Sequence, residues 1–192
     1  MRIGRVVTIG FLLLSTVTVS AWSYRLIYRE QLYELYHQHF YQYPERIAEN
    51  VYWLEQALRS DFANPLFALA EIEDEREWRW YRGLFNMHIN LKLTELYLQW
   101  GSKFMKWDAY FYIAPWKEQN LDSLDRAEAL FEYSRTYWQE AVRWSDEISD
   151  MRWIHLEEIQ KWEDERHRIA TGELDYTAVI DRHLERLKRV RA

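Results

Sequence analysis

An all-α fold is expected from this sequence, on three observations. Glycine and proline number only 5 and 3 in 192 residues, too few turn-formers for a sheet protein. From residue 25 onward the apolar side chains recur at the three- and four-residue spacings of one helical face. The intervals between those periodic runs are short, which makes neighbouring helices antiparallel. The architecture expected is an antiparallel helical bundle or stacked helical hairpins, with five to six major helices after an N-terminal membrane-targeting segment.

That segment comes first. Arg2 and Arg5 precede an uncharged run of 19 residues, 6–24. Val19, Ser20 and Ala21 close it with small side chains where a signal peptidase would cut. At about 1.5 Å per residue the run is just long enough to cross the hydrocarbon layer. A cleaved signal peptide and an uncleaved signal anchor in the inner membrane both fit residues 1–24. Positive charge ahead of the run sends the single body domain, 25–192, to the extracytoplasmic side in either case.

Each body element follows from its spacing. A helix is expected over 25–43, with Tyr28, Leu32, Leu35, His39 and Tyr43 on one stripe. Pro44 suits the first turn of the next helix, where a missing N–H is not needed, and Ile47, Val51, Leu54 and Leu58 line its face. Residues 60–65 read as a connection with a restart at Pro65. The acidic run 71–77 leads into a long helix reaching Trp107, whose face carries Phe85, Ile89, Leu93, Leu96, Trp100 and Phe104. Pro115 interrupts the pattern over 108–120. In the helix expected over 121–149, Leu124, Phe131 and Trp138 recur every seven residues, with Ala127, Ser134 and Ala141 between them. Alternating large and small residues make a packing seam, because the small ones let another helix approach. A charged helix with Ile154, Ile159, Trp162 and Ile169 stops near Gly172. Asp175 caps a last helix carrying Tyr176, Ile180, His183, Leu187 and Val190.

Composition narrows the function. The net charge is −6, and −8 once Arg2 and Arg5 are set aside, so phosphate backbones are repelled and no nucleic-acid partner is expected. Cysteine is absent, which excludes disulfides and thiolate metal sites. Aromatic residues reach 17%, enough to keep a chain that is 29% charged from being disordered. No glycine-rich phosphate loop, Gly-x-Ser-x-Gly elbow or Ser-x-x-Lys is present. Glu34 and His37 have the Glu-x-x-His spacing of dimetal bundles, but Asp164 and His167 make a poor second half, and no metal or cofactor is expected. His39 and His183 fall on apolar stripes and are read as hydrogen-bonded core residues. His88 and His155 have no neighbours in the sequence to make a nucleophile–base pair. Two charged runs, 71–77 and the basic end from Arg182 to Arg191, read as solvated helix termini that complement the dipole.

One segment stands apart. Tyr110, Phe111, Tyr112 and Trp116 sit where a surface connection is expected, so they either fold back as a lid on the core or form a partner-binding patch.

Ala127, Phe131 and Ser134 resemble the second-helix signature of a tetratricopeptide repeat, in which a small residue, Phe and another small residue follow at fixed spacing. The resemblance covers this helix alone, since 108–121 lacks the Trp, Leu, Gly and Tyr pattern of the first helix. It implies a protein-binding scaffold and no chemistry. The acidic, aromatic, membrane-addressed body is also similar to small periplasmic proteins that scaffold flagellar motors.

The function expected is that of a non-enzymatic helical scaffold of the cell envelope, meeting protein partners and reaching the membrane through its N-terminal segment, in an assembly such as a periplasmic flagellar motor. Self-association is left open. The alternative is an envelope glycan-binding protein or a carboxylate-dependent hydrolase.

Overall fold

A computed structural model describes residues 26–105, 117–151 and 154–191. The leader 1–24 and the aromatic segment with Tyr110, Phe111, Tyr112 and Trp116 lie outside these residues. The fold is all-helical, with six α-helices among the described residues: α1 (Arg29–Gln42), α2 (Ile47–Arg59), α3 (Glu75–Phe104), α4 (Lys117–Glu147), α5 (Gln160–Ala170) and α6 (Thr177–Arg191). Single 3-10 turns, Pro65–Phe67 and Glu157–Ile159, precede α3 and α5. The extended backbone contributes one isolated bridge, Tyr28 with Asp61.

The helix limits have local causes. Asp74 caps α3 by accepting from the Arg76 and Glu77 amides at 2.8 Å each, which satisfies two of the donors a helix start leaves open. Asp175 accepts from Thr177 N at 2.7 Å and starts α6 in the same way. Gly172 ends α5 at φ 76°, a left-handed conformation that a Cβ would strain, and Leu174 N then returns to Arg168 O at 2.9 Å. Pro44 lies in the turn before α2, not in its first turn.

The long helices α3 and α4 run antiparallel. Ser123 Oγ donates to Phe104 O at 2.8 Å near one end, Ser134 Oγ to Thr94 O at 3.2 Å in the middle, and Gly83 faces Ile148 at the other end. Gly83 and Gly101 are 18 residues apart, five full turns, so both present the same face to α4. A Cβ at Gly83 would stand 2.2 Å from Ile148 Cγ2, and one at Gly101 would stand 2.6 Å from Phe131 Cε1. The missing side chains are what lets the two helices close. On α4 the seam residues Leu124, Ala127, Phe131, Ser134, Trp138 and Ala141 are all buried, as the seven-residue alternation requires.

Packing differs from the sequence reading in two places. Helix α3 buries every side of its middle, not one stripe: Asn86, His88, Asn90 and Thr94 are buried along with Phe85, Ile89 and Leu93. It is the central helix, with α2, α4 and α5 all packed against it. On α1 the buried face is Glu30, Leu32, Tyr33 and Tyr36, while Tyr28 and Tyr43, the ends of the expected stripe, are 40% and 39% exposed. Tyr33 turns inward because it meets Phe85, His88 and Trp162 edge-on, with ring centres 5.3 to 5.7 Å away. Helix α6 lies on α4, where Trp138 Nε1 donates to Thr177 Oγ1 at 3.0 Å and Arg135 pairs with Asp181 at 2.8 Å.

Candidate functional site

A groove of about 720 Å³ opens between the end of α2 and the C-terminal part of α4. The floor is α3, through Arg79, Arg82, Gly83, Asn86 and Asn90. One wall carries Leu58 and Phe62; the other carries Tyr137, Glu140, Arg143, Trp144, Glu147 and Ile148. A volume of that size is typical of ligand clefts.

Arg29 organises the inner end. Its guanidinium lies 4.3 Å from the centre of the Phe62 ring and donates to Leu58 O and Ser60 O at 2.9 Å each, taking up carbonyls at the end of α2. It also donates to Asn86 Oδ1. Burial holds the Arg29 pKa below its ordinary value, offset in part by Glu30 and Asp61. These contacts fix the Asn86 amide with its oxygen toward Arg29. Asn90 is fixed the opposite way, its Nδ2 donating to Asn86 O at 2.8 Å. Asn86 Nδ2 and Asn90 Oδ1 make no hydrogen bond among these contacts, and both residues line the groove. One amide thus keeps a donor and the other an acceptor for a ligand in the groove.

The rim is basic in an acidic protein. Four arginines line the groove against two glutamates, Glu140 and Glu147. Both glutamates are engaged by Arg143, at 2.8 Å each, and the Arg143 guanidinium carbon lies 4.4 Å from the centre of the Trp144 ring. Arg79 and Arg82 are less committed. Their pairs with Asp150 and Glu75, at 3.7 and 3.4 Å, join exposed side chains and are worth little.

A second cluster lies inside the core. Tyr33 Oη is 2.7 Å from His88 Nε2, and His88 Nδ1 bonds Glu165. The carboxylate can only accept, so Nδ1 carries the proton and Nε2 accepts from the Tyr33 hydroxyl. Burial lowers the His88 pKa by more than Glu165 raises it, and the ring is neutral. Burial pushes the Glu165 carboxyl up, but the bond from His88 and the charges of Lys92 and Lys161 outweigh it and hold the pKa below the ordinary carboxylate value. Lys92 Nζ stands 3.6 Å from Glu165 and 2.8 Å from Glu95, which also accepts from Tyr176. Trp162 stacks on the imidazole with centroids 5.0 Å apart. The chain resembles a proton relay, yet His88 is 2% exposed and Tyr33 5%, and neither lines the groove. Its evident role is to join α1, α3 and α5.

The remaining sequence candidates are scattered. His88 thus has partners, 55 and 77 residues away, that its sequence neighbourhood could not reveal. His155 donates to Glu163 at 2.7 Å, which raises its pKa. Glu163 also accepts from Trp80 and Leu156 N. His39 bonds Asn50 and Glu49 on α2, as expected of a half-buried stripe residue. His183 does not: it stacks on Phe131, and its buried Nδ1 has no partner. Glu34, His37, Asp164 and His167 are exposed on different helices, and no three metal-ligating side chains converge among the described residues. No described helix is long and apolar enough to cross a membrane. The groove residues were missed in the sequence, although Asn86, Asn90 and Thr94 form a polar i, i+4, i+8 line in an otherwise apolar stretch, the one signal that marked the floor.

No curated protein matches the chain, and no solved structure does. One family model matches it over residues 76–192, well over half its length and all of α4, α5 and α6 with nearly all of α3. The chain therefore belongs to the family described as a domain of unknown function, DUF8513.

Proposed function

We propose that this protein is a membrane-directed, extracytoplasmic helical scaffold that works by binding other proteins. In this reading residues 1–24 carry the chain to the envelope as signal peptide or anchor. The six helices form an antiparallel bundle built on the α3–α4 hairpin, the helical-hairpin feature that links it to protein-binding scaffolds.

The observation that carries the reading is the groove itself. Its lining consists of recognition groups: open amides, loosely paired arginines and aromatic faces. The two carboxylates in it are held by Arg143, and the histidine–carboxylate pair of the core is sealed away from it. Binding without turnover is the activity such a lining supports best.

Two measurements test this. Residues 1–30 fused to a reporter active only outside the cytoplasm should give activity, and a silent but well-expressed fusion overturns the address. Cross-linking the tagged full-length chain in intact envelopes, followed by detergent extraction, should yield a discrete heteromeric product. Recovery of monomer alone overturns the scaffold.

A further inference from the structure

The groove has a direction and a polarity that specify its occupant. Its floor runs from Arg79 to Asn90, eleven steps along α3, or about 16 Å at 1.5 Å per residue. An extended peptide rises about 3.3 Å per residue, so roughly five residues span it. Asn86 and Asn90 lie one helical turn apart on one face of α3, so their amides can converge on one ligand residue. In an extended chain the N–H and C=O of a single residue point to the same edge, as they do where two antiparallel strands exchange both bonds through one residue. Asn86 Nδ2 would donate to that residue's carbonyl, and its N–H would donate to Asn90 Oδ1.

Charge sets the side chains. Beyond the amides the floor continues to Arg82 and Arg79, whose 3.4 and 3.7 Å pairings with Glu75 and Asp150 can be exchanged for a ligand carboxylate at little loss. Guanidinium forks favour carboxylates with two-pronged geometry. Beside the arginines, Phe62, which packs on Trp78, Tyr81 and Phe85, lines one wall and Trp144 the other, and both suit an apolar or flat side chain. The protein carries a net charge of −6, so a basic groove confers selectivity as well as attraction.

We propose that the α2–α4 groove binds an extended acidic segment, about five residues long, of a partner protein, through Asn86 and Asn90 to its main chain and Arg79 and Arg82 to its carboxylates. This rests on the protein-binding reading given above.

The test uses the full chain in detergent and a fluorescein-labelled, terminally blocked peptide of alternating Asp, Glu and Leu, read by anisotropy. Saturable binding that weakens with added salt is expected, with no binding of the Asn/Gln/Leu counterpart. Arg79→Gln with Arg82→Gln changes exposed side chains, so helicity should be kept while affinity falls about tenfold or more. Asn90→Ala should weaken the peptide without altering the salt dependence, because it removes a neutral contact. Failure of the acidic peptide to bind, or equal affinity for the neutral one, overturns the groove assignment. So does a concentration-dependent dimer of the chain alone that Arg79→Gln/Arg82→Gln abolishes, since the groove would then hold a second copy. If cross-linking still captures a heteromeric partner when the peptide does not bind, only the groove assignment fails.

Discussion

Replacing Gly101 by Ala sets two effects of known size against each other. In a helix interior alanine is more favourable than glycine by about 0.8–1.0 kcal/mol, so an unhindered site would be stabilised. Gly101 is hindered. Its new methyl would stand 2.6 Å from Phe131 Cε1, 2.8 Å from Cδ1 and 3.1 Å from Cζ, against an ordinary van der Waals contact of 3.4–4 Å. The ring must shift by the better part of an ångström. It is fully buried, and His183 stacks on it at 4.8 Å, so the shift disturbs α6 as well as α4. Overpacking of this kind costs about 1–3 kcal/mol, which leaves a net loss of roughly 1 kcal/mol after the propensity gain. For a chain of this size that is a fall in Tm of about 2–4 °C. Phe131→Leu shortens the offending ring, and in that background Gly101→Ala should become neutral or stabilising. Urea unfolding of the wild type, both single variants and the double variant closes the cycle, with a coupling of about 1 kcal/mol or more expected. A stabilised Gly101→Ala protein, or additive effects, would refute the claim that this glycine sets the α3–α4 distance.

Further variants probe other levels of the structure. Trp138→Ala removes a nearly buried ring on the α4–α6 side and should cost about 3–5 kcal/mol in urea unfolding; Ala141→Leu, at a fully buried position, should cost about 1–3 kcal/mol or more. Glu140→Ala, whose partner Arg143 keeps Glu147, should stay within roughly 0.5 kcal/mol, and equal losses for all three would overturn the seam. Asp74→Ala exposes two amides at the start of α3 and should cost about 1 kcal/mol; no measurable loss would show that the cap is replaced by solvent. For pH, the pKa of His88 is lowered in the fold, so the unfolded chain binds the extra proton and stability must fall as pH drops through the unfolded value near 6.5. Glu165 is lowered too, and its contribution is lost on further acidification below its ordinary 4.5. Melting curves should therefore decline from pH 7 to 5, less steeply in His88→Gln, with residual slope from His37 and His183, which burial lowers as well. A slope unchanged by the substitution would mean His88 is not held neutral.

Much of the helical frame can be read locally. Asp175, Gly172 and the alternation on α4 act over a few residues, and each has the role its chemistry dictates. Periodicity also places the core of α2, since Ile47, Val51 and Leu54 need only face one way. It misplaces α1, whose tyrosines suit either side of a helix until Phe85 and Trp162 draw Tyr33 inward. It also cannot show that α3 is enclosed, because a helix covered on every side has no favoured stripe for the pattern to display. The candidate groove lies largely beyond local reach. Arg29 meets Asn86 across 57 residues, and Tyr33 meets His88 across 55. What the chain determines by itself is which residues become helical and which faces are apolar, for those depend on neighbours three and four positions away. Tertiary structure alone decides that two asparagines and two arginines of α3 line an open groove while a histidine two residues along is sealed, because that depends on which helices cover each side of α3.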